Sequence, residues 1–341
     1  MPPLSELFPT VYGRGLIPEL KSFVHRPYLV VTMDDLWPLF RDAFDDGVAG
    51  PLFVRTLERD ELDRIVAELP ACGSVVGLGG GQALDVAKYV AWARRLPLFQ
   101  VPTALSVNAA WGHRAAVRVG GIVRYVAWAI PEAVYIDFDV IRGAPADLNR
   151  SGVGDILCYH TGHWDWRMAR DRGRVEARWP YDERLVAEAE VALGRVVDHA
   201  DEIRGVTDAG LRALGESLRW GGAAFHNAGW NPRHIEGAEH FVFYNLEYLT
   251  GKPFIHGQAV CLGVILMSAL QENRAEWIRS VIDRIGVPWR PEQMGVTGGQ
   301  VEQALRTLPA YVERAGLWYT VASDRPVTEE FIARMRAWLG Y

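Results

Sequence analysis

Up to about residue 145 the chain alternates between short β-branched apolar runs and segments with apolar positions three and four apart. The change of period, from about two to about 3.6, predicts strands alternating with helices and hence an α/β sheet. Segments 28–32, 51–56, 74–78, 98–101 and 133–137 read as strands, and 61–69 as a helix following the second. Segment 114–128 alternates around Gly120-Gly121, which predicts a β-hairpin laid beside the main sheet. Past residues 143–151 the alternation stops. Segments 182–200, 208–224, 238–249, 258–272, 274–285, 299–308 and 328–339 carry apolar residues at helical spacing. The pattern predicts an α/β domain over residues 1–147 and an all-α domain over 148–341.

Composition narrows the function classes. A length of 341 residues suits two domains, and 49% hydrophobic with 23% charged residues is ordinary globular usage. With net charge −6 and no basic run, no nucleic-acid partner is expected. The longest apolar stretch, 259–270, is short of the ~20 residues that span a bilayer, so no membrane partner is expected either. Residues 1–6 have neither a basic head nor an apolar run, so no signal peptide is expected. Cys72, Cys158 and Cys261 are odd in number and widely spaced, which points to reduced thiols and a cytoplasmic location. Lys21, Lys88 and Lys252 are the only lysines, so nearly all positive charge is arginine. Most of the thirteen tryptophans, such as Trp220, Trp277 and Trp338, sit at core-like helical spacing, whereas Trp111 is expected beside a substrate pocket.

Two constellations carry candidate chemistry. Strand 74–78 runs into Gly79-Gly80-Gly81-Gln82-Ala83, and a helical pattern with Asp85 and Lys88 follows at once. Such a turn lets a backbone approach a pyrophosphate while the helix start offers N–H groups to it. Gln82 occupies the last glycine position of the dinucleotide fingerprint, and a tight turn with a surface Asp85–Lys88 pair explains the pattern equally well. In the second half, Asp155 follows Gly152-Val-Gly154, His240 lies in an apolar helix after Glu239, and His256 opens another. One carboxylate and two imidazoles suit Zn²⁺ or Fe²⁺ with a position left open. By composition His160, His163, His226 and His234 are rival ligands.

Taken in order, Gly-Gly-Gly-x-x-x-Asp-x-Ala-Lys at 79–88, Val-Pro-Thr at 101–103, Gly-x-Gly-Asp at 152–155 and His-Gly at 256–257 resemble the superfamily of metal-dependent alcohol dehydrogenases, glycerol dehydrogenase and dehydroquinate synthase. Ala144-Pro145, Gly-Asp-Ile at 154–156, Asp165-Trp166 and Glu239-His240 most resemble its sn-glycerol-1-phosphate dehydrogenase branch. The resemblance implies a dehydroquinate synthase-like fold, with an N-terminal nucleotide-binding α/β domain, a C-terminal metal-binding helical domain and an active site in the cleft between them. It implies NAD or NADP against Gly79, Gly80, Gly81, Gln82, Ala83, Thr103 and Ser106, with Asp34 or Asp35 at the adenine ribose favouring NAD. It also implies Zn²⁺, or alternatively Fe²⁺, on Asp155, His240 and His256, a Lewis acid that eases hydride transfer between the substrate carbon and nicotinamide. The expected partner is a small polyol or polyol phosphate, and a homo-oligomer is expected.

Three departures fall where the resemblance places substrate. Asn108 replaces an aspartate, Tyr244 a histidine and Gln258 a glutamate. An amide cannot titrate, and tyrosine at its ordinary pKa of ~10 is a poorer base than histidine. Asn108 and Tyr244 are therefore candidate catalytic positions for an altered substrate. The alternatives are a cyclising lyase that uses NAD transiently, as dehydroquinate synthase does, and a non-catalytic nucleotide-binding homologue.

Overall fold

A computed structural model describes residues 8–341. The residues behind the signal-peptide expectation lie outside the described residues. The chain forms two compact units, one ending at Asn149 and the other running from Arg150 to Tyr341.

The first unit is built on six parallel strands: β1 (Thr10–Gly13), β2 (Tyr28–Thr32), β3 (Val48–Phe53), β4 (Ser74–Gly79), β5 (Leu98–Pro102) and β8 (Ala133–Asp137). Their order is β1-β8-β5-β4-β2-β3. The inner four are buried throughout, which is why they read as unbroken apolar runs. Alternation within β2 feeds two cores, Leu29 and Val31 on one face, Tyr28 and Val30 on the other. Pro51 is confined to the edge strand β3, where its missing N–H breaks no inner ladder. From β2 the chain steps outward to β3, and from β4 it steps the other way to β5. The sheet order therefore reverses between β2 and β4, the place where open α/β sheets bind ligands at their carboxyl ends.

The hairpin forms, but not as an extension of the sheet. β6 (Ala115–Val119) and β7 (Ile122–Val126) pair only with each other among the named strands. Ala115 and Val117 instead join the apolar cluster of the Gly81–Arg94 helix, and β1 and β3 hold the two sheet edges.

The second unit is helical. Its centre is the pair Ala238–Thr250 and His256–Gln271, buried on nearly every side. Around it lie Tyr159–Asp171, Glu183–Asp198, Asp208–Asn227, Ala275–Ile285, Gly298–Ala315 and Glu329–Leu339. The expected helix 299–308 does not stop before Pro309 but continues to Ala315. Leu308, Tyr311, Val312 and Ala315 are buried on both sides of that proline, and their packing offsets the ~3 kcal/mol a mid-helix proline costs. Among the described residues no helix is long and apolar enough to cross a membrane.

Candidate metal centre and glycine turn

The buried helix pair carries the candidate ligands. His240 lies on the first turn of Ala238–Thr250, His256 opens His256–Gln271, and Asp155 sits in the short Gly154–Leu157 helix. Nε2 of His256 is 2.8 Å from Asp155 Oδ1, and Nε2 of His240 is 3.9 Å from the same oxygen. One ligand atom from each residue falls within 4.8 Å of the others. Asp155 and His240 are buried, while the His256 side chain is 24% exposed, so the cluster opens on the His256 side.

Carboxylates crowd this cluster. Burial alone lowers the affinity of His240 for a proton, but Glu236, Glu239 and Asp155 together lift its pKa to about 9. Burial raises Glu236, whose Oε1 accepts a 2.7 Å hydrogen bond from the Tyr244 hydroxyl. The sequence motifs gave no sign of Glu236. An overlapping group, Cys158 with Glu239 and His240, has comparable spacing, but burial first and the surrounding carboxylates second hold Cys158 as a thiol. Among the described residues none of the rival histidines joins a cluster of ligand atoms. His160 Nε2 meets Asn273 O at 2.8 Å, His163 Nε2 meets His234 O at 3.0 Å, the His234 ring lies against Trp166 and Trp220, and His226 lies against Trp230.

In the first unit Gly79 ends β4 at φ +153°, where a Cβ would sit 2.8 Å from that of Ala83. Gly80 is the N-cap of the Gly81–Arg94 helix and caps it with no side chain. A Cβ on Gly80 would enter open space, meeting only Ser106 Oγ at 4.0 Å. Thr103 N–H donates to Gly79 O at 3.0 Å, which fixes the end of β5 beside the turn. Gln82 and Ala83 form the next positions of that helix, Ala83 buried and Gln82 exposed. Asp34 follows β2 and is held by Arg55, with Nη2 to Oδ1 at 2.7 Å.

Lys88 is not part of a surface pair. Its side chain is 2% exposed, and Nζ lies 2.7 Å from Asp85 Oδ1, 3.0 Å from Ala109 O and 2.6 Å from Arg114 O. All three ammonium protons are used. The turn so held, Asn108–Ala110, carries Asn108. Trp111 next to it is fully buried, its Nε1–H donating to Thr10 Oγ1 of β1 at 3.0 Å, so it anchors the turn from the core. Trp220, Trp277 and Trp338 are half-buried, and the last two lie under the guanidinium groups of Arg274 and Arg279.

A parallel sheet with a glycine turn at its reversal point, followed in the chain by a helical unit bearing an Asp-His-His cluster, is the arrangement the motifs imply for an alcohol dehydrogenase of the metal-dependent type. Residues 47–145 match the family described as iron-containing alcohol dehydrogenase. The glycerol-1-phosphate dehydrogenase (NAD(P)+) of Thermofilum pendens is 32% identical over 82% of this chain and 81% of its own length. That of Sulfurisphaera tokodaii is 28% identical over 93% of this chain and 92% of its own. In fold, a probable glycerol dehydrogenase from Sinorhizobium meliloti superposes with TM-score 0.77 at 20% identity over 97% of both chains. The glycerol dehydrogenase of Schizosaccharomyces pombe gives 0.74 at 18% identity over 97% of this chain and 91% of its own. The chain belongs to the glycerol-1-phosphate dehydrogenase family within the iron-containing alcohol dehydrogenases. It is an NAD(P)-dependent oxidoreductase of the alcohol and polyol type, as its motifs implied.

Proposed function

We propose that the protein transfers hydride between NAD(P) and a small polyol phosphate related to glycerol 1-phosphate, with a divalent metal on Asp155, His240 and His256. The observation that carries this reading is the convergence of those three side chains from separate helices, one face left open. The donor set of one carboxylate and two imidazoles fits zinc, and all three side chains reach the cluster from separate helices. When bound, the metal supplies Lewis acidity to a substrate oxygen. The protein's own groups do the rest. Tyr244 commits its hydroxyl proton to Glu236. At Asn108, on a turn fixed by Lys88, a neutral amide stands where the family resemblance implies a carboxylate.

The nucleotide is assigned to the first unit, with its pyrophosphate at Gly79, Gly80, Gly81, Gln82 and Ala83. Thr103 and Ser106 flank it, and Asp34 lies at the ribose. The uncapped helix start, the open space at Gly80 and the reversal between β2 and β4 support this placement. The metal and substrate are assigned to the helical unit. A cytoplasmic location agrees with three free cysteines, and a homo-oligomer with exposed apolar side chains at Val119, Tyr125, Trp128 and Ile130, a prediction that light scattering checks.

The central test combines metal analysis with turnover. The purified protein should hold one equivalent of zinc or iron and reduce NAD+ or NADP+ with glycerol 1-phosphate or a close polyol phosphate. Asp155→Ala and His256→Ala should lose both metal and turnover. Full turnover in chelator by a metal-free preparation would sink the reading.

A further inference from the structure

We propose that Glu239 is a positioning residue that fixes the tautomer and aim of the ligand His240, and that Thr161 in turn fixes Glu239. The inference rests on the metal centre proposed above and extends it to side chains outside the ligand set. Glu239 follows the helix start of Ala238–Thr250 and is fully buried. Its Oε1 accepts from Gly237 N–H at 2.6 Å and lies 2.9 Å from His240 Nδ1. Its Oε2 accepts from the Thr161 hydroxyl at 2.7 Å.

Both oxygens of Glu239 already act as acceptors, Oε1 toward Gly237 N–H and Oε2 toward the Thr161 hydroxyl. The atom facing it on His240 must accordingly be Nδ1–H, which leaves the Nε2 lone pair as the metal donor, and Nε2 is the atom that faces Asp155. The same contacts argue against Glu239 as a ligand itself. Both of its oxygens already have partners on the side of Thr161 and Gly237, and Cys158, its companion in the overlapping cluster, lies with Sγ 3.1 Å from Ile235 O.

The arrangement also accounts for Gly237. A Cβ there would fall 2.9 Å from Glu239 Oε2 and 2.8 Å from Asp165 Oδ2. Asp165 accepts from Ala238 N–H at 2.9 Å, so carboxyl oxygens of Glu239 and Asp165 take up the N–H groups of Gly237 and Ala238 at the start of one helix. Glu239 is thus held from three directions before any metal arrives.

The experiment loads the full-length protein with zinc, measures affinity by chelator competition and records the imidazole proton spectrum. Wild type should bind one zinc and show a downfield His240 Nδ1–H resonance. Glu239→Gln, which keeps the shape and loses the charge, should still bind one zinc but ~10–100-fold more weakly, with that resonance moved upfield. Thr161→Val should weaken binding less, and Cys158→Ser should leave it unchanged. If Asp155→Ala abolishes binding while Glu239→Gln and Thr161→Val match wild type in affinity and resonance, the positioning role is wrong and the metal site stands. Loss of zinc in Cys158→Ser, or complete loss in a folded Glu239→Gln, would make the overlapping cluster the true ligand set. Absence of zinc from wild type would instead overturn the metal reading. Should Glu239→Gln fail to fold by circular dichroism, Thr161→Val and Cys158→Ser decide the matter.

Discussion

A side chain on Gly154 would begin 2.7 Å from the Cα of Gly257, and one on Gly257 would begin 1.7 Å from Ser151 O. The residues beside these glycines are Asp155 and His256, whose side chains meet at 2.8 Å. The two motifs are therefore one packing device: their glycines let two backbones touch so that a carboxylate and an imidazole can meet. A methyl group at 257 cannot be absorbed by a flexible neighbour, because what it meets is backbone. Gly257→Ala should destabilise the protein at or beyond the top of the ~1–3 kcal/mol range for overpacking and lower metal retention with it. Urea unfolding with metal analysis checks both, and a variant as stable and metal-replete as wild type would refute the account.

Lys88 makes a second buried device. Its ammonium is divided between Asp85 and two carbonyls of the segment that follows β5. Lys88→Met should cost about 3–5 kcal/mol, because it strands a largely buried carboxylate and two carbonyl oxygens. Lys88→Met with Asp85→Asn should cost clearly less than the sum of the singles, and a double-mutant cycle in urea measures the difference. Hydrogen exchange should rise at residues 108–114 in Lys88→Met. Strict additivity would show that the ion pair is not the active element.

These two devices mark where the sequence was legible and where it was not. β2, β4, β5 and β8 announce themselves because both faces of each are apolar. β1 does not, being four half-buried residues on an edge. The Tyr159–Asp171 helix is masked in the sequence pattern because its buried face includes Thr161, His163 and Asp165, polar residues whose partners lie far along the chain. The candidate ligands Asp155, His240 and His256 could be read from motif order. Glu236 and Thr161 could not, since their meaning comes only from Tyr244 and Glu239. Lysine scarcity pointed at Lys88 but said nothing of the turn it holds. The arginine excess has a partial structural use in guanidinium groups laid over half-buried tryptophans.

The pairing of Asp34 with Arg55 changes the expectation for cofactor choice. Alone, Asp34 would favour the ribose hydroxyls of NAD and repel a 2′-phosphate. With Arg55 on its carboxylate, that repulsion is offset and a cation stands ready beside it. Both side chains are about half-exposed or more, so each contributes only modestly. Asp34→Ala should raise the NADP-to-NAD ratio of kcat/KM by roughly two- to five-fold, and Arg55→Ala should lower it by a similar factor. Initial rates with each cofactor measure the ratio, and the same direction of change in both variants would contradict the pairing.

The buried histidines give the fold a pH dependence separate from catalysis. Burial pushes His163 down to about 4 and His234 to about 3, from an ordinary 6.5. The unfolded chain takes these protons as pH falls through 6.5, while the folded chain refuses them until about 4 and about 3. Each histidine therefore contributes fully above 6.5 and loses about 1.4 kcal/mol per pH unit below it. Asp165 acts in the opposite sense. Burial raises it to about 7, so the folded chain binds its proton before the unfolded chain does, and stability from this group grows as pH falls from 7 towards 3.8. The wild-type profile mixes the two signs, and a difference between variants separates them. His163→Gln retains an amide able to donate to His234 O but cannot titrate. Between pH 6.5 and 4 its stability should gain on wild type by about 1.4 kcal/mol per unit, with no relative change above 7. Urea unfolding of both proteins across that range measures the gap, and parallel profiles would show that His163 is not held neutral by the fold.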